Sequence, residues 1–271
     1  MTRQYCHVGS RTIAYLDSVP RGRDLRTVVL LHAFPLGAGM WEPQIASIPK
    51  GWRLITPDLR GFGGTTDADG GEPTMDDYAR DVVDLLGALG VARAVVGGCS
   101  MGGYATFAVI RNAPDLVEAV VLADTRAGAD SQEGRASRKS MLVLLDREGP
   151  SGVAREMLPR LLGATTRETN PTVEATVRRL IKQQSAEAIR GAILRMMERG
   201  DSMPVVSALR LPALVVVGEE DELTPVAESR RIADAIPGAR LEVIPAAGHL
   251  ANLEQPGPFN AVLAAFLTSL S

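Results

Sequence analysis

The chain has 271 residues, 45% hydrophobic and 23% charged, with a net charge of −3 at pH 7, which fits one large globular domain or a core carrying an insertion. Without a dense basic block it carries no electrostatic footprint for nucleic acid. No apolar run nears the roughly 18 residues that span a bilayer, and the opening stretch MTRQYCHVGSRTIAYLDS lacks the continuous apolar core of a signal peptide.

In chain order, the first 16 residues read as a hairpin, followed by strands at 27–32 (TVVLLH) and 53–58 (RLITPD). Residues 74–90 form the clearest helix. Tyr78, Val82, Leu85, Leu86 and Leu89 recur at helical spacing, Thr74 and Asp77 suit a capping box, and Gly90 ends the run. A strand at 92–97 leads into a glycine-rich turn, a helix over 101–114 stops at Pro114, and a further strand spans 118–124. Strands return at 213–218 (ALVVVG) and 240–245 (RLEVIP). Most of these strands are apolar on both faces, as parallel strands covered by helices are. Between 126 and 205 the alternation gives way to helical patterns broken at Gly149-Pro150 and Asn170-Pro171. The expected organisation is therefore a core over 1–125 and 206–271, interrupted by an all-helical insertion over 126–205.

The turn VVGGCSMGGYA (95–105) crowds four glycines around one hydroxyl. A dinucleotide fingerprint needs glycines at i, i+2 and i+5. From Gly97 the second position is Cys99, and from Gly98 it is Ser100, so both registers fail. A phosphate loop fails as well, because Tyr104 stands where its lysine belongs. The pattern that fits is G-x-S-x-G, as Gly98-Cys99-Ser100-Met101-Gly102, between a strand and a helix. That setting lifts one serine above a sheet at the N-terminus of a helix, where unpaired N–H groups favour negative charge.

A serine hydroxyl attacks only when a base takes its proton. Of the three histidines, His7 lies in the hairpin, His32 follows the first core strand, and His249 follows the last. A loop at the C-terminal edge of a parallel sheet is where a base meets such a serine, which selects His249; His32 reads as support for its own loop. The acid that orients the base is one of Glu219, Glu220, Asp221 and Glu222 after strand 213–218, or Asp124 at the end of an earlier strand. Cys99 is one residue off the apex of the turn and should point elsewhere. No histidine–carboxylate cluster has metal-ligand spacing. Two cysteines, Cys6 and Cys99, are too few for a disulfide framework and point to the cytoplasm.

Together the serine turn, LLHAFPLGAGMW, PDLRGFGGT, VGEEDELTP and AGHLANLEQP resemble the α/β-hydrolase superfamily, in its chain order Ser…Asp…His. The resemblance implies an α/β fold with a mostly parallel sheet and a helical cap. It also implies a triad of Ser100, Asp221 and His249, with an oxyanion hole from the backbone N–H groups of Phe34 and Met101. His32-Ala33 stands where relatives usually have His-Gly, which bears on the path of that loop. Ser100 argues against the dehalogenases and epoxide hydrolases of the superfamily, which carry aspartate there. The implied activity is cofactor-free cleavage of a small carboxylic ester or lactone. The alternatives are perhydrolysis of the same acyl enzyme and a non-catalytic ligand-binding member of the fold. Small molecules, not nucleic acid or membrane, are the expected partners, and oligomeric state stays open.

Candidate substrate contacts are Arg126, Trp41 and Leu36. Residues 126–204 carry 14 Lys/Arg against 10 Asp/Glu, and the remainder 15 against 22. A basic cap over an acidic core suits anionic substrates, whereas solvated helix charges would leave no preference. Arg126, at the active-site edge, should matter more than Arg199, late in the cap. Met141, Leu144, Leu145, Met157, Leu161, Met196 and Met197 give the cap apolar surface, most of it for its own packing.

Overall fold

The computed structural model describes residues 2–19, 25–66 and 73–270. The expected hairpin is β1 (Gln4–Val8) and β2 (Arg11–Asp17), joined at Gly9. The core strands are β3 (Arg26–Leu31), β4 (Trp52–Pro57), β5 (Ala94–Cys99), β6 (Val117–Ala123), β7 (Ala213–Gly218) and β8 (Arg240–Ile244). They form one sheet in the order β1-β2-β4-β3-β5-β6-β7-β8. The β1–β2 and β2–β4 pairings are antiparallel, and all others are parallel. In β3, Val28, Val29, Leu30 and Leu31 are all fully buried, as a strand covered on both faces requires. β8 is the exception, an edge strand with its first four residues partly or fully exposed.

Helices α1 (Glu42–Ile45), α2 (Met75–Ala88), α3 (Met101–Asn112), α9 (Val226–Ala235), α10 (Ala251–Glu254) and α11 (Pro256–Ser269) belong with the sheet. The α2 helix starts where its sequence predicts, with the Thr74 N–H donating to Asp77 Oδ2 at 2.9 Å. Tyr78, Val82, Leu85 and Leu86 are buried on one face, each contributing roughly 1.5–3 kcal/mol. Leu89 closes the helix and is only partly buried. That face packs on α3, which lies against β5.

After Ala123 the chain leaves the sheet and returns at Ala213. Between them stand α4 (Gln132–Leu161), α5 (Ala164–Thr169), α6 (Pro171–Lys182), α7 (Ala186–Glu198) and α8 (Met203–Ala208). Both predicted breaks are present. Gly149 (φ 62°, ψ −164°) interrupts α4 just before Pro150, and Asn170 caps α6 ahead of Pro171. The α4 helix packs against α6 and α7. Gln184 joins this layer to the core by accepting from the Gly63 N–H at 3.0 Å. Among the described residues, no helix is long and apolar enough to cross a membrane.

Candidate active site

Ser100 sits between β5 and α3 with φ 54° and ψ −111°. A non-glycine residue held there costs on the order of 1–3 kcal/mol, so neighbours must hold it. The Ser100 N–H donates to the Ala123 carbonyl at 2.9 Å. Its own carbonyl accepts from Gly103 N–H at 2.9 Å and Thr125 Oγ1 at 2.8 Å. The two glycines of the motif are required sterically. A Cβ on Gly98 would overlap the Gly102 backbone, and one on Gly102 would overlap the Leu31 carbonyl.

The Ser100 hydroxyl reaches His249 Nε2 at 2.8 Å, and His249 Nδ1 reaches Asp221 Oδ2 at 2.8 Å. Sequence separations of 149 and 28 residues close into one chain of hydrogen bonds, because β5, β7 and β8 end at the same sheet edge. Asp221 Oδ1 accepts from the N–H groups of Leu223 (2.8 Å) and Thr224 (3.0 Å), and Oδ2 accepts from Thr224 Oγ1 at 2.6 Å. Burial pushes the Asp221 carboxyl up, but the facing imidazole and the Thr224 bonds outweigh it and hold the group below its usual range. Thr224 escaped the sequence reading; its signal was a hydroxyl three residues after Asp221.

Asp124, the other candidate acid, points elsewhere. Its Oδ1 accepts from the Gly218 N–H at 2.8 Å, and its buried Oδ2 has no hydrogen-bond partner. Burial first, and then the charge of nearby Asp221, push its carboxyl well above the usual range. Cys99 is fully buried with Sγ 3.6 Å from the His249 carbonyl. Burial, aided by Asp124, Asp221 and Glu254, drives its thiol well up. It does not line the cavity in which Ser100 stands.

His32 is a brace. Its Nε2 accepts from the Leu59 N–H at 3.0 Å, its Nδ1 lies 3.0 Å from the Ala33 carbonyl, and burial pulls its pKa down. The loop it braces runs beside the serine turn, because Leu31 of β3 pairs with Gly98 of β5. Phe34 lines the cavity, and Met101 is the first residue of α3.

Two expected substrate contacts are corrected. Trp41 and Leu36 are fully buried, and neither lines the cavity. The chain turns into a short 3₁₀ helix (Ala38–Trp41), which lays Trp41 against Phe259 of α11 at 6.1 Å. Apolar residues just past a core strand serve the core here.

The cavity over Ser100 holds about 390 Å³. Of the apolar residues expected from 126–205, Met141, Met157 and Met196 line it, whereas Leu145 and Leu161 are buried and do not. Arg126 lines it too, but not alone. Its Nη2 bonds Asp130 Oδ1 at 2.6 Å, and the same carboxylate takes Arg138 on Oδ2 and Arg199 Nη2 on Oδ1 at 2.8 Å. Arg199 is therefore no remote control for Arg126. It shares its carboxylate, with its guanidinium 4.1 Å over the Tyr104 ring. Asp130 has no exposed side-chain surface. Burial raises its carboxyl, yet the Arg138 hydrogen bond and the charges of Arg138, Arg199 and Arg126 bring it below the usual range. Nothing local in the sequence marks Asp130 as the collector of three arginines.

Glu254 was also missed, although it lies only five residues past His249. Its Oε1 accepts from the N–H groups of Gly248 (2.9 Å) and Leu250 (3.1 Å), which bracket the histidine. Among the described residues, no group of three or more His, Cys, Asp or Glu is gathered where it could hold a metal ion.

A family model described as the alpha/beta hydrolase fold matches residues 26–256. A malate-bound thermophilic esterase from Thermogutta terrifontis superposes with a TM-score of 0.91 at 36% identity, over 99% of each chain. The enol-lactonase from Burkholderia xenovorans LB400 gives 0.89 at 30% identity, over 98% of this chain and all of its own. Among curated sequences, 3-oxoadipate enol-lactonase 2 from Acinetobacter baylyi is 26% identical over 90% of this chain and 89% of its own. With the family pattern matched from the first core strand to the loop beyond His249, the chain belongs to the α/β-hydrolase fold family.

Proposed function

We propose that the protein hydrolyses a small carboxylic ester or lactone through an acyl-serine intermediate, with Ser100 as nucleophile, His249 as base and Asp221 as its orienting acid. The observation that carries this reading is the unbroken path from Ser100 Oγ through His249 to Asp221 Oδ2, each step 2.8 Å, opening on a cavity. Ser100 Oγ attacks the carbonyl carbon as its proton moves to His249 Nε2. Asp221, kept ionised, stabilises the imidazolium and fixes the tautomer. The N–H groups of Phe34 and Met101 receive the oxyanion, and Met101, at the start of α3, adds a helix N-terminus to that stabilisation. Collapse breaks the bond to the leaving oxygen, which takes the proton from His249. Water then repeats the sequence and releases the acid. The esterase and enol-lactonase names of the similar proteins support this choice of substrate. Residues 126–205 act as the cap over the site.

The test is a hydrolysis panel of short and long acyl esters, enol-lactones and other lactones, with Ser100→Ala as control. A serine-directed phosphonate should label Ser100 and abolish activity. Labelling confined to Cys99, with activity surviving in Ser100→Ala, would overturn the mechanism. Hydrogen peroxide added to the panel reads out perhydrolysis by the same acyl enzyme.

A further inference from the structure

The wall of the cavity is electrostatically incomplete. Arg126, Arg138 and Arg199 all meet one carboxylate, Asp130, so the cluster holds two positive charges in excess. Arg160 and Glu133, which also line it, offset one another in sign. Arg199 is spent inward, on Tyr104, the Gly128 carbonyl and Asp130, with 5% of its side chain exposed. Arg126 and Arg138 are different. Both line the cavity and keep 30% and 18% of their side-chain surface open. Arg126 commits Nη2 to Asp130, while its buried Nε has no hydrogen-bond partner. Guanidinium groups in such a partly dry setting favour a carboxylate, which they can grip with two parallel N–H bonds.

Position adds to charge. Arg126 directly follows Thr125, whose hydroxyl bonds the Ser100 carbonyl, so the cation and the nucleophile are fixed by the ends of adjacent strands β6 and β5. Met141, Met157, Ile193 and Met196 add apolar wall, alongside the hydroxyl-bearing Ser131 and Ser137. A ligand spanning the cavity thus meets a nucleophile, a greasy stretch and a pair of cations.

We infer that the substrate carries a carboxylate, separated from its scissile ester or lactone carbonyl by a short aliphatic spacer, and that Arg126 and Arg138 bind that carboxylate while Asp130 holds the two guanidiniums in place. The inference rests on the hydrolase reading above and names its substrate class: half-esters and lactones of dicarboxylic acids. Arg126 and Arg138 are specificity-determining residues in this scheme, and Asp130 is a positioning residue.

The experiment compares the mono-4-nitrophenyl ester of glutaric acid with the equal-length ester ending in a carboxamide, at low and high salt. The wild type should favour the carboxylate by about tenfold or more in kcat/KM, mostly through KM. Salt should erode that preference, because partly exposed charges are screened. Arg126→Gln and Arg138→Gln should each lower the carboxylate-to-carboxamide ratio severalfold. Glutarate itself should bind wild type in calorimetry and bind Arg126→Gln more weakly, a readout that needs no turnover. Equal kcat/KM for the two esters at both salt levels, or a preference intact in both variants, overturns the inference and leaves the hydrolase reading standing. If neither ester turns over and phosphonate leaves Ser100 unlabelled, the hydrolase reading itself falls. The wild-type ester pair and glutarate titration decide the matter even if a variant fails to fold.

Discussion

Gly163 donates its backbone N–H to Glu254 Oε2 at 2.8 Å, fastening the turn between α4 and α5 to the loop that carries His249. The other oxygen of that carboxylate receives the residues on either side of the histidine. Two residues on from Gly163, Thr165 donates to Glu220, the neighbour of Asp221. The α4–α5 turn is thus tied to the loops of both His249 and Asp221, closely enough that a Cβ on Gly248 would overlap Gly163.

Glu254→Gln tests this tie. An amide cannot accept at both ends, so at least one buried N–H loses its partner, at a cost of about 1–3 kcal/mol. For a chain of this size, melting should fall by several degrees, roughly 2–4 °C per kcal/mol. Displacement of His249 should also lower kcat by about tenfold with little change in KM. A thermal melt and Michaelis–Menten analysis check both; lost stability with unchanged kcat would reduce Glu254 to a structural brace.

The two buried aspartates should respond oppositely to amidation. Asp221→Asn removes the charge facing His249 and can hold the wrong tautomer, so kcat should fall on the order of 10³–10⁴-fold. Asp124→Asn should stay near wild type in rate. Asp124 has a raised carboxyl pKa, so its folded-state proton is retained above the unfolded value of about 3.9. Wild-type stability is therefore lost as pH rises from there towards the folded pKa. Relative to wild type, Asp124→Asn should gain stability over that window. Chemical denaturation at pH 4 and pH 7 reads the trend, and a crippled Asp124→Asn would transfer the acid's role.

Asp130 has the opposite sign. Its carboxyl is held below the usual range, so its contribution is fully present above about pH 4 and lost as pH falls through the folded pKa. Asp130→Asn leaves three arginines around a neutral group and should cost on the order of 2–3 kcal/mol at pH 7. That deficit should shrink below pH 4. A deficit independent of pH would show that the carboxylate's charge does not hold the cluster.

Cys99 should be inert in the native protein. Its thiol is buried and its pKa strongly raised, so little thiolate forms near neutral pH. Aromatic disulfide reagents should leave it untouched until denaturant is added, while phosphonate reacts at Ser100. Rapid native labelling of Cys99 would contradict its burial.

Much of this was readable from local chemistry. Strands such as 213–218 declare themselves by β-branched runs, and the breaks at Gly149 and Asn170 by the prolines that follow them. The serine turn is legible because its glycines are sterically obligatory within a few residues of Ser100. The choice of Asp221 over its acidic neighbours came from resemblance, since no property of Glu219, Glu220 or Glu222 in isolation excludes them. What escaped was long-range. Trp41 looked like a pocket residue because its burial depends on α11, more than 200 residues on. Arg199 seemed distant from Arg126 because only the packing of α7 against α4 brings both to Asp130. Thr224 and Glu254 are ordinary loop residues until the loops meet.

The order of the strands bears on how activity arises. Ser100 follows β5, but Asp221 and His249, which complete its chain of hydrogen bonds, follow β7 and β8, and the helical layer intervenes in the chain. Only when β7 docks on β6 do the halves share an edge. Pairing across such separations is slow, because chain closure precedes the contacts that reward it. A refolding molecule can thus own its hairpin, its α2–α3 layer and a strained Ser100 turn, and still be inert. Turnover is then a reporter of the last join between two halves, and should recover later in refolding than helical signal does.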